Sequence, residues 1–329
     1  DLARRIASLG LSARAGANLK VRQPLAKVLV HTKEGDTSLP DFLVEIVRDE
    51  LNVKAFEFVS QAEELINYRV LPVNKLLGPK FGARFPAVSI RDMVRTQAAL
   101  ADHLGVHRWL SVVGGSMGGM QALEWAITYP DRLRSVAALA TATAASPQQI
   151  AWSSVGRNAI RMDPKWREGD YYDAADGDGP HEGIRLAREI GVIHYRSEVE
   201  FAVRFGRAKT GPADSFDLWS PFDVETYLEH HGWKLARRFD AKTYLVMNRA
   251  MDLHDIGLGR GGIAAALERI RVPTMTMAID SDILYPDHLQ HVLRDQLVAH
   301  GIPNRHIEVA SDKGHDAFLV ETEQVGNPL

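Results

Sequence analysis

The sequence predicts an α/β protein in two parts: a small α+β module over residues 1–85, then a parallel sheet with a helical lid over 86–329. Three observations carry this. Short apolar runs at 109–113, 133–140, 272–279 and 305–310 have the length and composition of buried parallel strands. Between the second and third runs lie about 130 residues of helical character, too long for a loop, which read as a lid over about 145–255. The charge balance also shifts: residues 1–84 carry 13 Lys and Arg against 10 Asp and Glu, a net of +3, so the remainder holds −6 of the overall −3.

In the first part, residues 2–15 read as a helix with Ile6, Leu9 and Ala13 on one face, closed by the segment Lys20 to Leu25. A strand follows at 25–30, a helix at 41–50 and a strand at 53–59. Nothing there is chemically reactive: the module has no paired acids, glycine loop or ligand cluster.

Composition bounds the rest. With 329 residues, 45% hydrophobic and 25% charged, the chain is an ordinary globular one with room for two domains. A net charge of −3 gives no reason to expect a nucleic-acid or anionic-membrane partner. The absence of cysteine removes disulfides, thiolate nucleophiles and cysteine-ligated metals. No apolar run approaches the ~18 residues of a membrane span, and no signal peptide is visible, so a cytoplasmic location is expected. The first residue is Asp1 rather than Met, as expected of a fragment.

The chemistry concentrates at residues 109–131. An apolar run meets Gly114-Gly115-Ser116-Met117-Gly118-Gly119, and a helix follows with Met120, Leu123, Trp125 and Ala126 at helical spacing. Strand, G-x-S-x-G, helix is a nucleophile elbow, which holds a serine hydroxyl clear of the backbone on a strained turn. Gly114 and Gly118 are expected where a Cβ would collide. The Met117 N–H, next to the serine at the helix start, is placed to donate to an oxyanion. This architecture delivers the acid and then the histidine after later strands. Asp282 follows the run 272–279, with Asp280 and Asp287 as rivals, and His315 follows 305–310. Loops at the carboxyl ends of parallel strands share one edge, so Ser116, Asp282 and His315 can converge.

Other features carry less. His288 with His291, and His230 with His231, show no third ligand at metal-binding spacing, so no metal is expected. The stretch 257–262, GLGRGG, follows no clear strand and lacks Lys-Ser/Thr, so it reads as a loop rather than a phosphate cradle. Trp152, Trp166, Tyr171 and Tyr172 read as lid packing. From spacing alone, Arg188 is a salt-bridge residue on a lid helix.

Two family resemblances sharpen this reading. ARRIASLGLSARAGANLKVRQPLAKVLV, LPDFLVEIVRDELNVKAFEFV and LGPKFGARFP resemble the end of an isoleucyl-tRNA synthetase, over about 1–86. The HIGH and KMSKS-type signatures are absent, so aminoacylation is not implied. From Phe85 the resemblance changes. FPAVSIRDMVRTQAALADHLGV, the elbow, DPKWREGDYY, GIRLAREIGVIHYRS, IDSDILYP and GHDAFLVE resemble homoserine O-acetyltransferase over 85–326. That family has the α/β-hydrolase fold and further residues before FPxVSIRD, carrying the first strands and an ALTG-like loop. The chain is therefore expected to be a fusion at about Phe85 with a partial α/β-hydrolase fold, its first strands missing.

The second resemblance implies acetyl transfer from acetyl-CoA, as co-substrate, to the hydroxyl of L-homoserine in methionine biosynthesis, with no bound cofactor. It places the acid on Asp282 and implies that Arg188 holds the substrate carboxylate, with Tyr195 nearby and Asp316 on the ammonium. A homodimer is admitted. A serine hydrolase using water and a non-enzymatic fusion fragment with a remnant tRNA-contacting module are the alternatives, and the missing strands imply impaired activity.

Overall fold

Parallel pairing decides the architecture of both parts of the chain. A computed structural model describes residues 2–16, 19–21, 23–32, 38–59, 82–175, 177–211 and 217–329. The chain divides into two compact units, 1–72 and 73–329, a division earlier than the change of resemblance at Phe85. The LGPKFG segment, residues 77–82, lies almost entirely outside the described residues.

In the first unit, helix α1 (Leu2–Gly16) precedes strand β1 (Leu25–Val30), helix α2 (Asp41–Leu51) and strand β2 (Val53–Phe58). The strands run parallel in register Leu25↔Val53 to Val30↔Phe58, with α2 as the crossover. Ile6, Val47, Leu51 and Val53 form the core. The expected face of α1 is corrected here: Leu9 and Ala13 are exposed, while Ile6 and Arg14 are buried. Arg14 explains the shift. Its guanidinium donates to the carbonyls of Leu51 (2.9 Å), Lys20 (3.0 Å) and Gln23 (2.9 Å), satisfying the end of α2 and the 20–25 turn.

In the second unit, after a 3₁₀ turn at Gly82–Arg84, comes α3 (Ile90–His103), held at its start by a Ser89–Asp92 capping box. Strand β3 (Val112–Gly115), helix α4 (Met117–Thr128) and strand β4 (Val136–Leu139) follow. After the lid come α10 (Ile263–Leu267), β5 (Thr274–Ile279), α11 (Asp287–Ala299), β6 (Asn304–Val309) and two short helices, α12 (Ala317–Val320) and α13 (Thr322–Gly326). All four strands are parallel in the order β3-β4-β5-β6. The expected strand 109–113 starts later, because pairing with β4 becomes continuous only at Val112; Trp109 makes a single bridge to Leu133. Gly114 and Gly115 therefore belong to the strand.

The lid consists of α5 (Pro147–Met162), α6 (His181–Tyr195), α7 (Glu198–Phe205), α8 (Asp223–Ala236) and α9 (Ala241–Asp252). Three of the four aromatic residues read as lid packing do pack there; Trp152 is corrected, since it lines the cavity that also holds Ser116. Trp166 and Tyr171 are buried with Ile160 and Ile184, and Asp240 accepts from the hydroxyls of Tyr171 (2.6 Å) and Tyr172 (3.1 Å).

Candidate active site

Ser116 stands alone between β3 and α4, at φ 58° and ψ −123°. A non-glycine residue there stores roughly 1–3 kcal/mol of backbone strain. The turn is held because the Ser116 N–H donates to Leu139 O of the neighbouring strand at 2.9 Å. Close approach dictates the glycines around it. A Cβ on Gly114 would lie 2.2 Å from Gly118 O, one on Gly115 2.5 Å from the Phe318 ring, and one on Gly119 2.7 Å from Thr141. The expected crowding at Gly118 itself is corrected: a Cβ there meets open space. Helix α4 passes close to the strand at Gly114, where the Gly118 carbonyl leaves no room for a side chain. Met117 is the first residue of α4, where backbone N–H groups have no intrahelical acceptor.

Asp282 and His315 are brought together from the loops after β5 and β6. His315 Nδ1 lies 2.7 Å from Asp282 Oδ2, with both residues buried. The other carboxylate oxygen, Oδ1, accepts from the backbone N–H groups of Leu284 (2.8 Å) and Tyr285 (2.9 Å), so the acid is fixed on both sides. The rivals are engaged elsewhere: Asp280 accepts from Ser311 N–H at 3.0 Å, and Asp287 opens α11. Gly314 precedes the histidine at φ 67°, and a Cβ on it would meet the Arg196 backbone at 2.7 Å. Ser116 and His315 line one cavity, walled by α5, α6 and α9 of the lid.

Tyr195 and Asp316 stand on the same cavity wall. Arg188 does not line it directly; its guanidinium carbon sits 5.2 Å from the centre of the Tyr195 ring. The salt bridge that spacing favours for Arg188 is not formed among the described residues. Asp316 already pairs with Arg196 at 3.3 Å, and Arg196 also reaches Glu200 at 3.2 Å. Burial raises the Tyr195 hydroxyl above its ordinary value, with Arg188 opposing.

Sequence reasoning missed several polar residues of the cavity. His194, on α6, is pushed down to about 4 by burial and by the charges of His315 and Arg188. It lies on the same helix face as Ala187 and Ile190, a periodicity that could have pointed to it. Asn248 and Asp252 of α9 face the cavity, and both are bonded by Arg157 of α5 from behind.

Two stretches read as inert are more engaged than their spacing indicates. In the 257–262 loop, Arg260 makes a bidentate pair with buried Glu124 of α4, at 2.8 and 2.7 Å. In space, His291 lies beside His306 and Glu308 of β6, which are distant from it in sequence.

Comparisons with known proteins bear on the fold and the family. A family model described as the alpha/beta hydrolase fold matches residues 61–322. A homoserine O-acetyltransferase of Clavibacter michiganensis subsp. michiganensis is 49% identical over 257 residues, 77% of this chain and 65% of that protein. One of Thermobifida fusca is 50% identical over 254 residues, 75% of this chain and 64% of that protein. The chain thus spans about 65% of the length of the curated relatives it matches. Among solved structures, a homoserine O-acetyltransferase from Bacillus anthracis superposes with a TM-score of 0.70 at 23% identity, covering 75% of this chain and 66% of that one. Esterase E22 reaches 0.70 at 19% identity, covering 93% and 90%. Elbow, buried Asp–His pair, parallel strand order and family match coincide, and the chain belongs to the α/β-hydrolase-fold family.

Proposed function

We propose that residues 86–329 are an acyltransferase unit that moves an acetyl group from acetyl-CoA to the hydroxyl of L-homoserine through acetyl-Ser116. The observation that carries the reading is the buried His315–Asp282 contact facing the strained Ser116 across one cavity. The names of the relatives supply the acceptor and the acetyl group. His315 takes the serine proton as Oγ attacks the thioester carbonyl, while Asp282 fixes the imidazole tautomer and stabilises the imidazolium. The Met117 N–H donates to the tetrahedral oxyanion. CoA leaves as the thiol with the proton from His315, and the homoserine hydroxyl, deprotonated by the same histidine, then displaces Ser116. Arg188, reaching past Tyr195, holds the substrate carboxylate, and Asp316 the ammonium. The steps drawn need no metal. For residues 1–85 we retain the isoleucyl-tRNA synthetase resemblance as a reading of ancestry, without a tRNA role.

The test is direct. Incubating the chain with acetyl-CoA should add one acetyl group by intact mass, and Ser116→Ala should remain unlabelled. Adding homoserine should discharge the adduct to O-acetylhomoserine. Labelling that persists in the alanine variant overturns the nucleophile assignment. Discharge at equal rate without an amino acid favours the hydrolase reading, and a chain that is never acylated favours the non-enzymatic one.

A further inference from the structure

A second cluster of chemistry-bearing side chains lies at the outer strand of the sheet, and none of them lines the Ser116 cavity. Residues two apart on a strand point to the same face, so His306 and Glu308 of β6 project together. Helix α11 packs against β5 and β6 and brings His291 to the same spot. The His291 and His306 rings are 5.2 Å apart, and one ligand atom from each of the three residues falls within 4.8 Å of the others. Glu308 Oε1 is 3.2 Å from His291 Nε2 and 4.0 Å from His306 Nε2.

The nitrogens mark this as more than an ion pair. Both Nε2 atoms are buried, yet neither has a hydrogen-bond partner among the described residues. At 3.2 Å the carboxylate is close to His291 but off its hydrogen-bonding direction. An orphaned buried nitrogen costs roughly as much as a lost hydrogen bond, and two such nitrogens here converge on one carboxylate. His306 is also oriented: its Nδ1 lies 2.8 Å from Thr276 Oγ1, on the neighbouring strand β5. With Nδ1–H donating to that hydroxyl, Nε2 presents its lone pair to the cluster, the arrangement that outer-shell partners give to metal-binding imidazoles.

We propose that His291, His306 and Glu308 form a divalent transition-metal site, best suited to Zn²⁺, that ties α11 to β6. The two imidazoles are borderline ligands that favour Zn²⁺ and its neighbours over Mg²⁺ or Ca²⁺, and two His with one carboxylate is a set that zinc sites use. Zinc bond lengths place tetrahedral ligand atoms about 3.3 Å apart. The His291–Glu308 separation already fits that spacing, and the others close by side-chain rotation. Glu308, with 67% of its side chain exposed, is free to swing and leaves a route for the ion and for a water as fourth ligand. The role is structural. Helix α11 follows the loop that holds Asp282, and β6 leads to the loop that holds His315, so the ion braces the scaffold under both.

The experiment uses the untagged full chain, stripped with chelator and titrated with Co²⁺ as a spectroscopic probe, then with Zn²⁺. One equivalent of Co²⁺ should give visible ligand-field bands that Zn²⁺ abolishes. Zinc at a hundredfold excess over its Kd should raise the thermal midpoint by about 4–5 °C. His306→Ala and Glu308→Gln should both lose the bands and the shift; Glu308 is exposed, so the second variant tests the site without threatening the fold. His288→Ala, on the same helix, should keep them. Absence of one-equivalent binding, or binding retained in either ligand variant, overturns the proposal.

Discussion

At the scale of single residues, orientation by neighbours does most of the work. Asp282 is held by two backbone N–H groups as well as by His315, and Ser116 by a strand carbonyl. Arg188 differs: the Tyr195 ring contacts it and no carboxylate pairs it among the described residues, and under the proposed reading its fork holds the substrate carboxylate. Arg188→Lys should lower homoserine use about 10-fold or more, because an ammonium cannot reproduce bidentate geometry. Formation of acetyl-Ser116 should change much less, since that half-reaction lacks the acceptor. Measuring the two half-reactions separately checks this, and equal losses in both would make Arg188 structural. Buried histidines set a second expectation. Burial holds His254 down to about 4, and its Nε2 stays 3.0 Å from Ala142 O; His194 is held equally low. The unfolded chain protonates these imidazoles near the ordinary value of about 6.5. The unfolded state therefore binds more protons between about 6.5 and 4, and stability should be full above that window and fall as pH drops through it. Urea unfolding across pH should show this slope, and His254→Asn should remove about one proton's share. An unchanged slope in the variant would contradict the assignment.

At the scale of elements, what could be read in the chain was whatever repeats locally. The strand at 25–30, most of the one expected at 53–59, and the elbow's glycine turn were visible because apolar runs and glycine turns are near-neighbour patterns. The misjudged features depend on partners far away in sequence. Strand β3 begins at Val112 because β4 pairs it there, and the inner face of α1 is set by Arg14 reaching carbonyls near residue 51. The 257–262 loop is the clearest case, since its purpose lies in Glu124, 136 residues away. Glu124 is 2% exposed and its partner Arg260 has a side chain 6% exposed. Burial opposes ionisation of Glu124, but the hydrogen bonds and charge of Arg260 outweigh it and hold the carboxyl below its ordinary value. Glu124→Ala leaves Arg260 buried and uncompensated. Loss of one partner in such a pair should cost about 3–5 kcal/mol, measurable by denaturant unfolding at neutral pH. A loss under 1 kcal/mol would mean that water reaches Arg260 and that the pair does not lock the loop to α4.

At the scale of the whole molecule, the position of β3 matters most. Among the described residues the sheet order places the nucleophile's strand at an edge. The segment leading into it is apolar and open, with Leu110 76% and Val113 49% exposed. An open parallel edge of that kind recruits another strand. The purified chain should therefore self-associate, and Leu110→Lys should shift it toward the monomer on size exclusion with light scattering. A wild-type chain that elutes as a monomer would show that the β3 edge is covered.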